Sequence, residues 1–209
     1  MLIPIRSLKD KYHIQFDGVL HVGAHLGEEG PAYADVGVKN VWWIEGDSDT
    51  SAKLKSIAVG FGNENVVITD VVSDLAGQVL TFNIASNGQS SSILEFGLHS
   101  HYHPEITYNN KKIVVSNTID SICAEFNVKA DFLNLDLQGA ELLALQGAKE
   151  YLAQCNYVYT EVNDREVYRN CALIGEVDSY LADFGFERVE TEMTHAHWGD
   201  AFYIRRRMA

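Results

Sequence analysis

Gly18-Val-Leu-His-Val-Gly-Ala-His-Leu-Gly-Glu-Glu29 is the stretch of sequence that decides the fold. Its apolar start predicts a short buried strand. Gly23 and Gly27 predict a tight turn, because glycine adopts backbone conformations that are closed to other residues. A helix is expected directly afterwards, over residues 28–35. A strand, a glycine turn and a helix in this order are typical of the first crossover of a nucleotide-binding α/β domain.

The next apolar segment supports this interpretation, because Val41-Trp-Trp-Ile44 is followed directly by Glu45. It predicts a second strand over residues 40–45. An acidic side chain that closes this strand, about 20 residues after the glycine turn, is placed to hold both hydroxyls of a ribose. We therefore predict a nucleoside site between the glycine turn and Glu45. A solvated strand end is the alternative.

Strand and helix patterns alternate along the rest of the chain. Further strands are predicted at 65–69, 131–137, 156–162, 186–191 and 201–205, and a long helix at 140–152. The alternation predicts a doubly wound, mainly parallel Rossmann-like sheet of about seven strands with the last strand antiparallel. We expect one domain over residues 1–209, with an N-terminal extension at 1–17 and a polar insert at 86–111 that lies over the acceptor site.

Four of the predicted strands end in carboxylates. These acids are Glu45, Asp70, Asp136 and Glu161. Ligands of parallel α/β sheets bind beyond the carboxyl ends of the strands. The sequence therefore predicts that the four side chains converge on one site.

The overall composition restricts the class of partner. The 209 residues carry a formal net charge of −13, which argues against nucleic acid or an anionic membrane. No apolar run approaches the roughly 20 residues needed to span a bilayer, and the N-terminus lacks a signal-peptide core. The three cysteines are widely spaced and form neither a disulfide framework nor a zinc pattern. We expect a cytoplasmic protein that acts on a small molecule, and the composition does not indicate an oligomeric state.

The most specific motif spans the fourth strand and its helix, Asp131-Phe-Leu-Asn-Leu-Asp-Leu-Gln-Gly-Ala-Glu-Leu-Leu-Ala-Leu-Gln-Gly-Ala148. It resembles the signature of the FkbM-type methyltransferases. The glycine turn is similar to that family's Asp-x-Gly-Ala-Asn-x-Gly motif, and Ser90-Ser-Ser-Ile-Leu94 and Thr118-Ile-Asp-Ser-Ile122 also resemble family landmarks. The resemblance implies a class I, S-adenosylmethionine-dependent enzyme. Many members of this family methylate hydroxyl groups of sugars or natural products, so a carbohydrate acceptor is expected.

The resemblance also implies which residues bind the cofactor. The glycine turn would line its methionine end, Glu45 would hold the ribose, and the end of the third strand would lie beside the adenine. The predicted cofactor-binding residues are His21, Gly23, Ala24, His25, Gly27, Glu45, Gly46, Asp70, Val71 and Asp136. Two positions depart from the family pattern. His21 stands where the family usually has Asp, and Gln138 stands where it usually has Glu.

Asp136 is the first predicted catalytic residue. O-methylation requires that the acceptor hydroxyl lose its proton while it is held in line with the sulfonium methyl group. The carboxylate could take this proton directly. It could instead bind Mg²⁺, which would acidify the hydroxyl, and Glu161 and Asn163 would then complete an oxygen-ligand set.

Histidines provide the other catalytic candidates. His195 lies just before the last strand and is the second predicted catalytic residue. His99, His101 and His103 alternate within the insert, and such an array can supply a base or metal ligands, or can simply be solvated surface.

The function that we predict is S-adenosylmethionine-dependent O-methylation of a hydroxyl on a sugar, glycan or natural product. An NAD-dependent oxidoreductase on a related fold is one alternative, although Gly23-Ala-His-Leu-Gly27 lacks the G-x-G-x-x-G pattern of such enzymes. A catalytically inactive domain that binds the cofactor or a partner is the other. The presence of Glu45 and Asp136 argues against inactivity.

Overall fold

A computed structural model describes residues 1–206, and the last three residues of the predicted 1–209 domain lie outside this part. The helices are α1 (Ile5–Tyr12), α2 (Gly30–Asp35), α3 (Ser48–Ala58), α4 (His99–Tyr102), α5 (Ile119–Glu125), α6 (Glu141–Gln146), α7 (Lys149–Gln154) and α8 (Ile174–Asp183). The strands are β1 (Gly18–Val22), β2 (Asn40–Glu45), β3 (Glu64–Thr69), β4 (Val71–Val72), β5 (Val79–Ala85), β6 (Tyr108–Asn117), β7 (Phe132–Leu135), β8 (Tyr157–Asn163), β9 (Phe186–Met193) and β10 (Trp198–Arg205). Within residues 1–206, no helix combines the length and apolarity that a membrane crossing requires.

Seven strands form the central sheet, in the order β3-β2-β1-β7-β8-β10-β9. β1 pairs in parallel with both β2 and β7, and β8 pairs in parallel with β7. β10 runs antiparallel to both of its neighbours. The predicted seven-stranded, mainly parallel sheet with an antiparallel last strand is confirmed. The strand order reverses between β1 and β7, so the switch point of the sheet lies at the carboxyl ends of these two strands.

The two faces of the sheet are covered by separate hydrophobic clusters. Every residue of β1 is buried, as expected for a central parallel strand packed on both faces. Because side chains alternate along a strand, Leu20 and Val22 lie in one cluster and Val19 lies in the other. Residues 1–17, predicted as an extension, include α1, whose Ile5 and Leu8 are buried in the second cluster.

The segment predicted as a polar insert, residues 86–111, leaves the end of β5, passes through α4 and continues into β6. β4, β6 and β5 form a second sheet of three strands. An isolated bridge pairs Phe96 of the insert with Tyr168, and the Ser92 hydroxyl donates a hydrogen bond of 2.9 Å to the Gln138 carbonyl. These contacts fix the insert beside the carboxyl end of β7.

Two helix boundaries differ from the prediction. The helix predicted at 140–152 is divided into α6 and α7 at Gly147. The backbone there passes so close to the Ser73 carbonyl that a Cβ on Gly147 would lie 2.4 Å from its oxygen. The helix after the glycine turn begins at Gly30 instead of residue 28, because Glu28 and Glu29 still belong to the turn and Pro31 lies in the first helical turn.

Candidate active site

The glycine turn lies directly against the end of β7. Gly23 has a φ of +85°, and a Cβ at this position would lie 1.7 Å from the Asp136 carbonyl oxygen. The N–H groups of Gly23 and Ala24 both donate to the Ile44 carbonyl, at 2.9 and 3.0 Å. The turn is therefore held between β2 and β7 at the switch point of the sheet, and only glycine fits at its first position.

The Glu45 carboxylate ties the loops around the switch point together. The side chain lies at the end of β2, and only 8% of the residue is exposed. It accepts a hydrogen bond from the His25 N–H at 2.8 Å and another from the Asp47 N–H at 2.7 Å. Burial raises the pKa of Glu45 to about 7, although the two backbone donors favour its ionised form. The carboxylate thus faces a cleft that the glycine turn and the loop after β2 enclose.

A first cavity opens between the glycine turn, the ends of β2 and β3, and the insert. Phe82 and Ile93 provide apolar walls, and Gln89 and Ser91 provide polar groups from the insert. The predicted cofactor-binding residues that line it are Gly23, His25, Glu45, Gly46, Asp70, Val71 and Asp136. Of the others, His21 and Ala24 line a second cavity. Gly27 lines neither, and a Cβ there would meet the Leu54 side chain at 2.7 Å.

The second cavity, of about 390 Å³, lies on the far side of Asp136. It shares Gly23, His25, Gln89 and Asp136 with the first cavity. Its other walls come from the ends of β7 and β8, the insert and the start of β10. These wall residues include Ser90, His99, His103, Gln138, Glu161, Tyr168, Trp198 and Asp200. A ligand in one cavity can therefore meet a ligand in the other beside the Asp136 side chain.

Gln138 connects two of the predicted carboxylates. Its Nε2 donates to Asp136 Oδ1 at 2.6 Å and to Glu161 Oε2 at 3.0 Å. The Tyr168 hydroxyl donates to Gln138 Oε1 at 2.5 Å and so fixes the orientation of the amide. The amide therefore lies between the two carboxyl groups and holds both at the boundary of the cavities.

The two carboxyl groups differ in environment. Glu161 is only 6% exposed, and its burial, followed by repulsion from Asp136, raises its pKa well above the ordinary value. Surrounding protein atoms also raise the pKa of Asp136, to about 6, although solvent reaches its side chain through the cavity. Burial therefore favours the protonated form of Glu161, whereas Asp136, whose pKa is about 6, is ionised at neutral pH. One carboxyl group can accept a proton while the other can donate a hydrogen bond.

The predicted Mg²⁺ site does not fit this arrangement. Gln138 presents N–H donors, not lone pairs, to both Asp136 and Glu161. The third predicted ligand, Asn163, is buried and lines neither cavity. Over residues 1–206, no three His, Cys, Asp or Glu side chains form a group that could hold a metal ion. A role for Mg²⁺ is therefore not supported.

His21, at the position where the family usually has Asp, is a neutral group in a buried network. Its Nδ1 lies 3.1 Å from the Tyr33 hydroxyl and 3.4 Å from Asn134 Nδ2. Asn134 Nδ2 also donates to the Tyr33 hydroxyl at 2.7 Å. Burial lowers the pKa of His21, so the imidazole is uncharged at neutral pH. The departure from Asp therefore removes a negative charge from this wall of the second cavity.

The histidines of the insert separate in the structure. His99 and His103 line the second cavity, whereas His101 is exposed and lies outside it. His99 is buried, stacks on Phe96 at 4.1 Å between ring centroids, and lies 3.1 Å from the Ser90 hydroxyl through Nε2. Burial lowers the pKa of His99 to about 4, so its ring is neutral.

His195, the second predicted catalytic residue, is exposed and lines neither cavity. Its ring centroid lies 6.1 Å from that of Tyr102. Two residues that the sequence did not indicate, Tyr168 and Asp200, do line the second cavity. Asp200 could have been noticed as an acid that directly precedes the strand predicted at 201–205, whereas nothing in the sequence marks Tyr168.

Comparison with known proteins identifies the class of the chain. A family model described as the methyltransferase FkbM domain matches residues 21–188. The curated 2-O-methyltransferase NoeI of Sinorhizobium fredii is 30% identical over 80 residues, which cover 38% of this chain. The match spans only 33%, about a third, of the length of NoeI.

Solved structures share the fold over nearly the whole chain. Magnesium protoporphyrin IX methyltransferase from Synechocystis PCC 6803 with bound S-adenosylmethionine has a TM-score of 0.56 and 12% identity, covering 98% of this chain and 77% of that one. Ribosomal protein L11 methylase from Lactobacillus delbrueckii subsp. bulgaricus has a TM-score of 0.53 and 12% identity, with the same two coverages of 98% and 77%. At these identities the likeness shows the Rossmann-like fold alone.

Proposed function

This chain belongs to the FkbM methyltransferase family, and from that premise we propose that it transfers a methyl group from S-adenosylmethionine to a hydroxyl oxygen of a sugar, glycan or natural product. One observation carries the proposal: two cavities with different linings meet at Asp136. The first cavity combines the Glu45 carboxylate with apolar side chains, as a site for a nucleoside requires. The second has the polar and aromatic lining that an acceptor requires.

The first cavity is the proposed site of the adenosine part of the cofactor. Glu45 faces it from the end of β2, where an acid can accept hydrogen bonds from both ribose hydroxyls. Phe82 and Val71 provide an apolar surface for the adenine. Asp70 lies beside them, oriented by the Val71 N–H at 2.9 Å and by Asn117 Nδ2 at 3.0 Å. The methionine part would then extend past Gly23 toward Asp136.

The acceptor oxygen is proposed to lie in the second cavity, beside Asp136. The methyl carbon forms a bond to this oxygen as its bond to the sulfonium sulfur breaks, and the sulfur becomes a neutral thioether. The hydroxyl proton passes to the Asp136 carboxylate. A base whose pKa is raised to about 6 is well matched to this role, because it is still ionised at neutral pH and holds a proton better than an ordinary Asp. Glu161, whose protonated form is favoured by burial, can orient the acceptor by donating a hydrogen bond.

Oxygen is favoured as the methylated atom by the nature of the second cavity and by the name of the relative NoeI, a 2-O-methyltransferase. The cavity is lined by the aromatic residues Tyr168 and Trp198 and by the polar residues Ser90 and Gln89. Such a mixture of aromatic faces and hydrogen-bonding groups suits the apolar faces and hydroxyls of a sugar.

The proposal is tested by transfer of a labelled methyl group. The protein is incubated with S-adenosylmethionine labelled in its methyl group and with a panel of glycosides, glycans, phenols and amines. We expect label in a hydroxyl compound, as an ether that survives mild alkali. Label found in amines or in alkali-labile esters would contradict the proposal, as would binding of NAD in preference to S-adenosylhomocysteine.

Removal of the Glu45 carboxylate should weaken cofactor binding. In Glu45→Ala, the loss of charge-assisted hydrogen bonds to the ribose should cost about 1.5–3 kcal/mol, so the Kd of S-adenosylhomocysteine should rise roughly 10- to 150-fold. Isothermal titration calorimetry measures this change. Glu125→Ala, which removes an exposed acid at the end of α5, is the matched control and should bind normally. An unchanged Kd for Glu45→Ala would rule out this placement of the ribose.

A further inference from the structure

Five carboxyl groups line the second cavity, and no Lys or Arg of the described residues 1–206 lines it with them. The carboxyl groups are those of Glu28, Glu29, Asp136, Glu161 and Asp200. The groups that can carry positive charge are the Met1 amino group and the imidazoles of His21, His25, His99 and His103. The charge of the cavity therefore depends on which carboxyl groups are paired with one of these cationic groups.

Two of the five carboxyl groups have cationic partners. Glu29 accepts a hydrogen bond from the Met1 amino group at 3.2 Å. Glu28 lies 2.6 Å from His25 Nδ1, and this hydrogen bond raises the pKa of His25. His21 and His99 are buried and uncharged, so they do not offset the remaining acids.

The other three carboxyl groups are held by neutral donors. Asp136 and Glu161 share the Gln138 amide. Asp200 is buried, accepts from the Leu2 N–H at 2.5 Å, and accepts a second hydrogen bond from the Tyr159 hydroxyl. These donors satisfy oxygen atoms but bring no positive charge. Burial favours the neutral form of Glu161, so the negative potential comes from Asp136 and Asp200, and no Lys or Arg of the lining compensates it.

We infer that the acceptor is a polyol that is uncharged or bears an ammonium group, and that phosphorylated, sulfated and carboxylated acceptors are excluded. This inference rests on the proposed methyl transfer and specifies its substrate class. An anionic substituent would face ionised carboxylates with no Lys or Arg to pair with it. Repulsion between unit charges a few ångströms apart is large enough to lower the affinity by about tenfold or more. An ammonium substituent, by contrast, is attracted by the same groups.

A set of compounds with one sugar skeleton tests the charge preference. Methyl glucoside, glucosamine, glucose 6-phosphate and methyl glucuronide are compared by ligand-observed NMR on protein saturated with S-adenosylhomocysteine. We expect glucosamine and methyl glucoside to bind at least about tenfold more tightly than the two anionic compounds. Equal or tighter binding of the phosphate or the uronate would overturn the inference.

Two variants locate the effect in the cavity. Asp200→Asn should weaken glucosamine binding severalfold and should reduce the discrimination against glucose 6-phosphate. Glu125→Gln makes the same change of net charge on the exposed end of α5. It should alter neither the affinity for glucosamine nor the discrimination against glucose 6-phosphate. Equal effects of the two variants would overturn the inference, because the preference would then reflect only the net charge of −13. Failure of the proposed function would instead be seen as failure to bind S-adenosylhomocysteine in the same samples.

Discussion

Replacement of Asp136 by Asn is expected to lower kcat about 10²- to 10⁴-fold while leaving the affinity for S-adenosylhomocysteine nearly unchanged. The amide keeps the size of the side chain and an oxygen that can accept the hydrogen bond from Gln138. It cannot take the proton of the acceptor hydroxyl. Single-turnover measurement of methyl transfer, with calorimetry for the cofactor, separates the two effects. Asp183→Asn, at the exposed end of α8, is the matched control and should transfer methyl groups at the wild-type rate.

The pH dependence of the wild type provides a further check on Asp136. Its carboxylate must be ionised to act as a base, and its pKa is raised to about 6. The rate of the wild type should therefore rise as the pH increases through about 6 and then level off. This step should be absent in Asp136→Asn. Wild-type turnover in the variant, or the same pH step in both proteins, would show that the base is another residue.

Replacement of Gly23 by Ala is expected to disrupt both stability and cofactor binding. The added Cβ would lie 1.7 Å from the Asp136 carbonyl oxygen, on a backbone with a φ of +85°. The turn must then move away from β7, which should cost roughly 3–5 kcal/mol of unfolding free energy from backbone strain and overpacking together. In a chain of this size, such a loss lowers the Tm by about 6–20 °C. Binding of S-adenosylhomocysteine should be lost, since the turn separates the two cavities.

Gly37→Ala is the matched control for this effect. Gly37 has a φ of +83°, almost the same as Gly23, but nothing lies within 4 Å of a Cβ at this position. Its replacement should cost only the backbone strain, about 1–2 kcal/mol, and should leave cofactor binding intact. Differential scanning calorimetry compares the two variants. If Gly23→Ala were no less stable than Gly37→Ala, the close packing of the turn against β7 would be refuted.

The parts of the structure that sequence analysis predicted are those encoded by local patterns. The apolar run before Gly23 predicted the central strand, and the acids at the ends of β2, β3 and β7 predicted the convergence of Glu45, Asp70 and Asp136. Each of these features depends on neighbours within a few residues and on the rule that parallel strands align their carboxyl ends. The break at Gly147 was missed because it depends on the approach of Ser73, which is distant in sequence.

The environment of the predicted acids could not be predicted in the same way. Gln138 was recognised as a departure from the family pattern, but its two carboxyl partners and the Tyr168 hydroxyl come from different elements. The neutral state of His21 likewise depends on Tyr33 and Asn134, which pack against it only in the folded chain. The consequences of the two departures from the family pattern, His21 and Gln138, thus depend on contacts between residues that are distant in the sequence.

A crystal structure of the complex with S-adenosylhomocysteine is the most direct test of the two-cavity site. Both ribose hydroxyls should contact the Glu45 carboxylate, and the adenine should lie beside Val71. The sulfur should lie next to Asp136 and face the second cavity. A ribose away from Glu45, or a sulfur that faces away from the second cavity, would contradict the account.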